Sequence, residues 1–305
     1  MTKFDNIVYS LSVTNDEKKA AIKTGRIIRA SRKGHGWTQV GTAQKIGISQ
    51  SALSKMEAGQ LIPSVHQWFE FCIQANIPAD SHIMGYLDRM EPVSLHERLS
   101  DQGFKVKKPY ADFAGSTARS LFPLLRWAEQ KLGIEKSEDL WKEMGVDSDY
   151  FVDFSNPINF RFYADMTSIL KNKGFFKKTD FSKLLQPVSD PKNHGFLSKG
   201  YFQASDVETL FKTAFARANY YEVNFEYQID EVNRKRTVFS ARPREHLKSH
   251  SQLHLDDCSD FLCDYRGNYF KNLSNSVHVK TTLQTKELSC YFKGADRCVH
   301  EISYS

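Results

Sequence analysis

The chain has 305 residues, of which 40% are hydrophobic and 26% charged, and its formal net charge is +6 at pH 7. This composition is that of an ordinary globular protein with room for two domains, each with its own core. It excludes a disordered or fibrous chain, and the mild positive charge alone identifies no partner. No apolar run approaches the length of a membrane span and no signal peptide is recognised, so we expect a cytoplasmic protein without a membrane partner.

The five cysteines of such a chain do not suggest a disulfide framework. They are either buried small apolar residues or metal ligands. His254 and Cys258 stand in polar surroundings, where an exposed loop is expected rather than a second metal site.

The first predicted elements are an N-terminal arm over residues 1–14 and a helix from about Asp16 to Arg32. The helix carries a basic face, which either meets DNA phosphate or is merely solvated. The residues of that face are Arg26, Arg29, Arg32 and Lys33.

Residues 36–63, GWTQVGTAQKIGISQSALSKMEAGQLIP, predict two short helices joined by a tight turn. Thr38 and Ser49 can cap the two helices, because each hydroxyl can accept a hydrogen bond from an amide of the first turn. Gly47 occupies the turn, where a positive φ is needed. Leu53 and Met56 fall on one apolar face of the second helix. This arrangement is typical of a helix-turn-helix motif, whose second helix enters the major groove.

The pattern TQxxxAxxxGISQSxLSKxExG resembles the Cro/CI repressor type of helix-turn-helix, the XRE family of bacterial regulators, over about residues 20–80. The resemblance implies contact with a double-stranded DNA operator through Gln39, Ser49, Gln50, Ser51, Ala52 and Lys55. Gln39 would approach a phosphate, Gln50 can bond adenine, and Lys55 can reach guanine or phosphate. The alternative is a buried interaction helix without a DNA role.

A fourth helix is predicted over residues 64–75 and a fifth from about Asp80 to Arg89. The expected inner stripe of the fourth helix is Val65, Trp68, Phe69 and Cys72. Residues 91–114 lose periodicity and indicate a linker. The sequence thus predicts an all-α domain over residues 1–90.

Residues 115–305 predict an α+β domain with a small antiparallel sheet. Helices are expected over about 116–133, 137–144, 160–171, 204–218 and 259–271, a loop over 187–195, and strands over 220–229, 234–243, 278–285 and 298–303. The helix from Ser116 to Gly133 has an apolar face that is either core or a dimer face, and Pro123 should kink it or mark its first turn.

The segment Glu287-Leu-Ser-Cys290 is followed by Cys298, and Cys263 precedes it. Three thiolates and a carboxylate supply the four ligands of a closed tetrahedral zinc site, whereas the same cysteines could simply pack in the core. The segments CDYRGNYFKN and ELSCYFKGADRCVHEIS resemble the 4-vinyl reductase-type sensory domain of activators that sense aromatic compounds, over about residues 195–305. The resemblance implies a structural zinc ion on Cys263, Glu287, Cys290 and Cys298. It departs from the usual pattern at residues 266–269, where Gly-Tyr pairs are replaced.

Together these features predict a dimeric transcriptional regulator, associated with the nucleoid when bound to DNA and controlled by a small apolar or aromatic ligand. The rival hypothesis makes the second domain a ligand-free dimerisation or protein-interaction platform. An enzyme is not expected, because no recognisable catalytic motif occurs in the sequence.

Overall fold

The computed structural model describes residues 15–81, 86–87, 104, 106–107, 110, 115–245, 259–277 and 283–304. The chain divides into two compact units, Met1–Tyr86 and Leu87–Ser305. The predicted arm, most of the predicted fifth helix and linker, and both His254 and Cys258 lie outside the described residues.

The first unit is helical, as predicted. Its helices are α1 (Asn15–Gly34), α2 (Gln39–Lys45), α3 (Gln50–Glu57) and α4 (Val65–Ala75). Ser64 caps α4 in a capping box with Gln67, and Asn76 ends it in the left-handed conformation at φ 49°. These local hydrogen bonds explain why the boundaries of α4 could be predicted from the sequence.

The predicted inner stripe of α4 was correct for Trp68 and Cys72 and wrong for Val65 and Phe69. Val65 and Phe69 were expected in the core, but they are 73% and 50% exposed. The buried residues of the helix are Trp68, Phe71, Cys72 and Ala75. Both sets have the same helical spacing, one shifted by three residues from the other, and periodicity alone cannot choose between them. In the observed orientation, Trp68 Nε1 donates a hydrogen bond to the Ala79 carbonyl at 2.7 Å.

The second unit begins with a short antiparallel pair, β1 (Ser116–Thr117) with β2 (Pro157–Ile158). Its helices are α5 (Ala118–Leu132), α6 (Ile134–Glu143), α7 (Phe160–Asn172), α8 (Phe181–Leu184), α9 (Ser198–Tyr201), α10 (Val207–Ala216) and α11 (Ser259–Ser274). Short 3₁₀ turns connect them at Ser148–Val152, Lys178–Asp180, Gln186–Ser189, Pro191–Leu197, Ala218–Tyr220 and Asn275–Val277. Residues 187–195, predicted as a loop, thus fall largely within 3₁₀ turns.

The apolar face of α5 is buried within the second unit, since Leu121, Leu124 and Ala128 are each 0% exposed. This face is therefore core and not a free dimer face. Pro123 lies inside the helix beyond its first turn.

The main sheet has four strands, β3 (Phe225–Val232), β4 (Arg236–Pro243), β5 (Leu283–Ser289) and β6 (Cys298–Tyr304). Their order is β3-β4-β6-β5, and every neighbouring pair is antiparallel. The α+β class is confirmed. The predicted third strand at 278–285 falls partly outside the described residues, and the strand observed there runs to Ser289. A 3₁₀ turn occupies Ala218–Tyr220 and delays the start of β3 relative to the prediction.

Among the described residues, no helix combines the length and apolarity needed to cross a membrane.

His194 is a buried group whose charge state is coupled to the folding of the second unit. It is 3% exposed, and its Nε2 lies 2.5 Å from the Val188 carbonyl, to which the neutral ring donates. Burial is the main cause that lowers the pKa of His194 from 6.5 to about 4. Its neutral form therefore stabilises the fold above pH 6.5, and that contribution is lost as the pH falls toward 4.

We expect the His194→Gln variant to lose this pH dependence, because the amide can donate to Val188 but does not titrate. The difference in unfolding free energy between wild type and variant should change by roughly 3 kcal/mol between about pH 7 and pH 4. Urea unfolding of both proteins across that range measures it. Parallel curves would show that His194 is protonated equally in the folded and unfolded states.

Candidate nucleic-acid interface and candidate metal centre

The turn between α2 and α3 is fixed by its caps and one glycine. Thr38 Oγ1 accepts a hydrogen bond from the Gly41 amide, and Ser49 Oγ accepts one from the Ala52 amide, each at 3.1 Å. Gly47 has φ +68°, a conformation that L side chains rarely adopt. The hydroxyl of Ser49, predicted also to contact DNA, is thus engaged in holding the first turn of α3.

A buried carboxylate lies behind the interface. Glu57, only 4% exposed, accepts hydrogen bonds from Arg32 Nε at 2.5 Å and Nη2 at 3.0 Å. It also accepts one from Gln39 Nε2 at 2.8 Å, and Gln39 Oε1 accepts one from Gln50 Nε2 at 2.8 Å. This chain of hydrogen bonds orients Gln50 from the core outward.

The predicted contact residues share the exposed side of α3. Gln50, Ser51 and Lys55 are exposed, and Ala52 is half-buried beside them. Ser51 and Lys55 stand four residues apart and therefore on one face. The structure thus brings these residues together with Gln39, whose side chain contacts Gln50 directly.

The basic face predicted on α1 is partly turned inward. Arg32 pairs with Glu57, and Arg29 Nη1 donates to the Glu57 carbonyl at 3.2 Å. These two guanidinium groups therefore stabilise the contact between α1 and α3. The Arg32–Glu57 pair was missed from the sequence. Its signal was a glutamate next to Met56 and four residues after Leu53, on the buried face of α3.

The second candidate site is a cluster of three cysteines. Cys263 lies on α11, Cys290 directly follows β5, and Cys298 begins β6. Their sulfur atoms all lie within 4.8 Å of one another, with 3.2 Å between Cys263 and Cys290 and 3.5 Å between Cys263 and Cys298. All three are buried and free of disulfide bonds. Zinc ligands at about 2.3 Å in a tetrahedron are separated by about 3.8 Å, so the cluster is close to the spacing of such a site.

Glu287, the predicted fourth ligand, lies beside the cluster. Its Oε2 accepts a hydrogen bond from Lys293 Nζ at 2.9 Å, while its Oε1 is buried and has no hydrogen-bond partner within the described part of the chain. Burial acts to raise the pKa of Glu287, but the neighbouring Cys263 thiol and the Lys293 ammonium outweigh it, and the pKa is lowered. An ionised carboxylate with one free buried oxygen is suited to bind a metal ion.

One thiol of the cluster is acidic. A hydrogen bond from the Cys263 thiol is the main cause that lowers the pKa of Cys298 to about 6, and the Arg266 guanidinium acts in the same direction. The pKa of Cys263 is raised as the counterpart of the same hydrogen bond. Because thiolates are the form that binds metals, Cys298 is prepared for that role.

The second unit also contains a cavity of about 60 Å³. It is lined by aromatic rings, mainly those of Tyr163, Tyr221, Tyr227, Tyr265 and Tyr269. The sequence alone did not locate this cavity.

Comparison with known proteins addresses the first unit. The helix-turn-helix family model HTH_3 matches residues 28–79. The chain is also 45% identical over 56 residues to the uncharacterised HTH-type transcriptional regulator YazB of Bacillus subtilis (strain 168), covering 18% of this chain and 81% of that protein. The chain belongs to the helix-turn-helix transcriptional regulators.

This helix-turn-helix regulator is therefore a DNA-binding protein of transcription control, from a family that is not enzymatic. Among solved structures, an H-NOX protein from S. oneidensis, crystallised in the Fe(II)NO ligation state, aligns with 62% of this chain and 99% of its own chain. The identity is 10% and the TM-score is 0.45, which is too low to assign a shared fold.

We expect Glu57→Ala to destabilise the first unit by roughly 3–5 kcal/mol, because it leaves the Arg32 charge without its buried partner. Hydrogen exchange of α1 and α3 amides in the full-length protein measures the change. Glu70→Ala is the matched control: Glu70 accepts a hydrogen bond from the exposed Gln74, and its removal should cost about 0.5 kcal/mol or less. Equal effects of the two variants would contradict the structural role of the buried pair.

Proposed function

We propose that this regulator binds a specific, two-fold symmetric DNA operator as a homodimer and reads base edges with the exposed side of α3. The observation that carries the proposal is the chain of hydrogen bonds from Glu57 through Gln39 to Gln50. An oriented glutamine at the start of a recognition helix can bond adenine N6 and N7 together, which a mobile side chain does less selectively.

The neighbouring residues supply the other contacts of the proposed interface. Lys55 reaches guanine or a phosphate, Ser51 bonds a base edge, and Ala52 touches a thymine methyl group. Gln39 and the first turn of α2 face the phosphate backbone. Two copies are required because half-sites of an operator lie about one DNA turn apart.

The second unit is proposed to sense a small, largely apolar ligand, consistent with the expected likeness to 4-vinyl reductase-type domains. The aromatic cavity supports this proposal. Such a ligand controls DNA binding only by binding one arrangement of the dimer more tightly than another. The proposed domain boundaries remain 1–90 and 115–305, with residues 91–114 as the linker.

A zinc ion held by Cys263, Glu287, Cys290 and Cys298 is proposed as a structural element of this unit. The three clustered sulfurs and the unbonded Glu287 Oε1 support it. Four protein ligands close the coordination shell, so the ion would stabilise the contact of α11 with β5 and β6 and would not activate water.

We expect the Gln50→Ala variant to bind its operator about 10–100 times more weakly, and Lys55→Ala to add to this loss. The operator is first selected from random duplexes with the wild-type protein, and affinities are then compared by fluorescence anisotropy at fixed salt. Gln74→Ala, an exposed glutamine on α4, is the control and should bind normally. Unchanged affinity of the double variant would rule out the proposed interface, and a complex with one chain per operator would rule out the dimer.

We expect about one zinc ion per chain in freshly purified protein, because four ligands form a closed site. Cys290→Ser should lower the zinc content to less than about half an equivalent and destabilise the second unit. Cys72→Ser changes a buried cysteine of the first unit and should retain the metal. Elemental analysis by mass spectrometry measures the content. A wild-type protein with less than about half an equivalent would contradict the zinc site.

A further inference from the structure

Arg266 is a buried cation for which the described residues supply no salt bridge. It is 7% exposed, and its guanidinium carbon lies 4.0 Å from the ring centre of Phe225 and 5.9 Å from that of Tyr227. Within the described part of the chain, its Nη1 has no hydrogen-bond partner. Burial of a charge is costly unless it is paired, and two aromatic faces compensate only part of that cost. The Cys298 thiolate attracts this guanidinium, but Nη1 still lacks a direct anionic partner among the described residues.

Glu222 also lines the cavity, but its carboxylate is engaged elsewhere. Its Oε1 accepts a hydrogen bond from the Asn224 amide and its Oε2 accepts one from Ser116 Oγ, each at 2.8 Å. Burial is the main cause that raises the pKa of Glu222 to about 7. This group therefore does not neutralise Arg266 by direct contact.

The size of the cavity limits what can pair with Arg266. One water molecule needs about 10–15 Å³, so the 60 Å³ cavity holds about four to six non-hydrogen atoms. The walls next to Arg266 are rings and aliphatic groups, among them Leu262, Tyr269 and Phe270. A fitting ligand has a compact anionic head and a short apolar tail.

We propose that this cavity binds a short-chain monocarboxylate of about four to six non-hydrogen atoms, with its carboxylate on Arg266 and its tail against Leu262 and Tyr269. The proposal rests on the proposed ligand-sensing function of the second unit and names the class of ligand. A neutral aromatic compound such as phenol leaves Arg266 Nη1 without an anionic partner. The position of Arg266 is also where the sequence departs from the 4-vinyl reductase-type pattern.

The test measures ligand binding to the full-length protein by calorimetry and thermal shift, with sodium butyrate as the probe. Butyramide has nearly the same shape without the charge, and sodium chloride matches the ionic strength. Butyrate should raise the melting temperature in a saturable manner and bind at least about tenfold more tightly than butyramide. Equal binding of butyrate and butyramide, or no binding of butyrate, would overturn the proposal.

Variants separate the charge of the site from its volume. Arg266→Gln should weaken butyrate binding at least about tenfold, and Leu262→Phe should do the same by filling the cavity while keeping the charge. Arg244→Gln changes an exposed arginine next to β4 and should bind as wild type does. If Arg266→Gln fails to fold, the Leu262→Phe variant and the comparison with butyramide still test whether butyrate binds in this cavity. Butyrate affinity unchanged in Leu262→Phe would place the ligand outside this cavity and overturn the proposal.

Arg266 has a competing role as the cation beside the cysteine cluster, because it also favours the Cys298 thiolate. If that were its only role, Arg266→Gln would lower the zinc content and the wild-type protein would not bind butyrate. Binding of phenol without butyrate would overturn the carboxylate proposal and leave ligand sensing intact. If neither butyrate nor phenol binds, the carboxylate proposal and the ligand-sensing proposal are both rejected. DNA binding, measured separately on the selected operator, would be unaffected.

Discussion

The carboxylate of Glu57 is the group on which the first unit depends. A charge removed from water requires partners, and Arg32 supplies a two-point contact to both carboxylate oxygens. A carboxylate can accept further hydrogen bonds, and Gln39 takes up that remaining capacity. Gln39 in turn orients Gln50 on the surface. The packing of α1 on α3 and the direction of the outermost glutamine are therefore consequences of one electrostatic requirement in the core.

In the second unit α11 has a comparable role, because it contributes residues to both proposed sites, the cysteine cluster and the aromatic cavity. Cys263 turns toward the ends of β5 and β6, whereas Arg266 and Tyr269 line the cavity. Gly267 permits the close approach of this helix to the sheet: a Cβ there would lie 2.9 Å from Thr285 Oγ1 and 3.1 Å from His300 Nδ1. Any shift of this helix would therefore move Arg266 and a cysteine of the cluster together.

The features that could be predicted from the sequence are those determined by residues close together in the chain. The caps of α3 and α4 and the β3–β4 hairpin depend on residues close together in the chain. The caps were found where expected, and the hairpin was found with its first strand shifted from 220–229 to Phe225–Val232. The inner stripe of α4 could not be fully predicted, because two sets of its residues have equal helical spacing. The pairing of Arg32 with Glu57 joins residues 25 positions apart, and no local pattern reveals it. That Arg266 Nη1 has no hydrogen-bond partner among the described residues depends on several neighbouring elements at once, so it becomes visible only in three dimensions.

The strand order β3-β4-β6-β5 has a consequence for biosynthesis. Strand β6 lies between β4 and β5 but is translated after both, so in a nascent chain β5 has no neighbour in the sheet and β4 has an open edge. Open edges of this kind invite pairing with other chains. Cys298 is the first residue of β6, the last of these strands to be translated. Emergence of β6 from the ribosome is therefore the event that both closes the sheet and completes the trio of thiols.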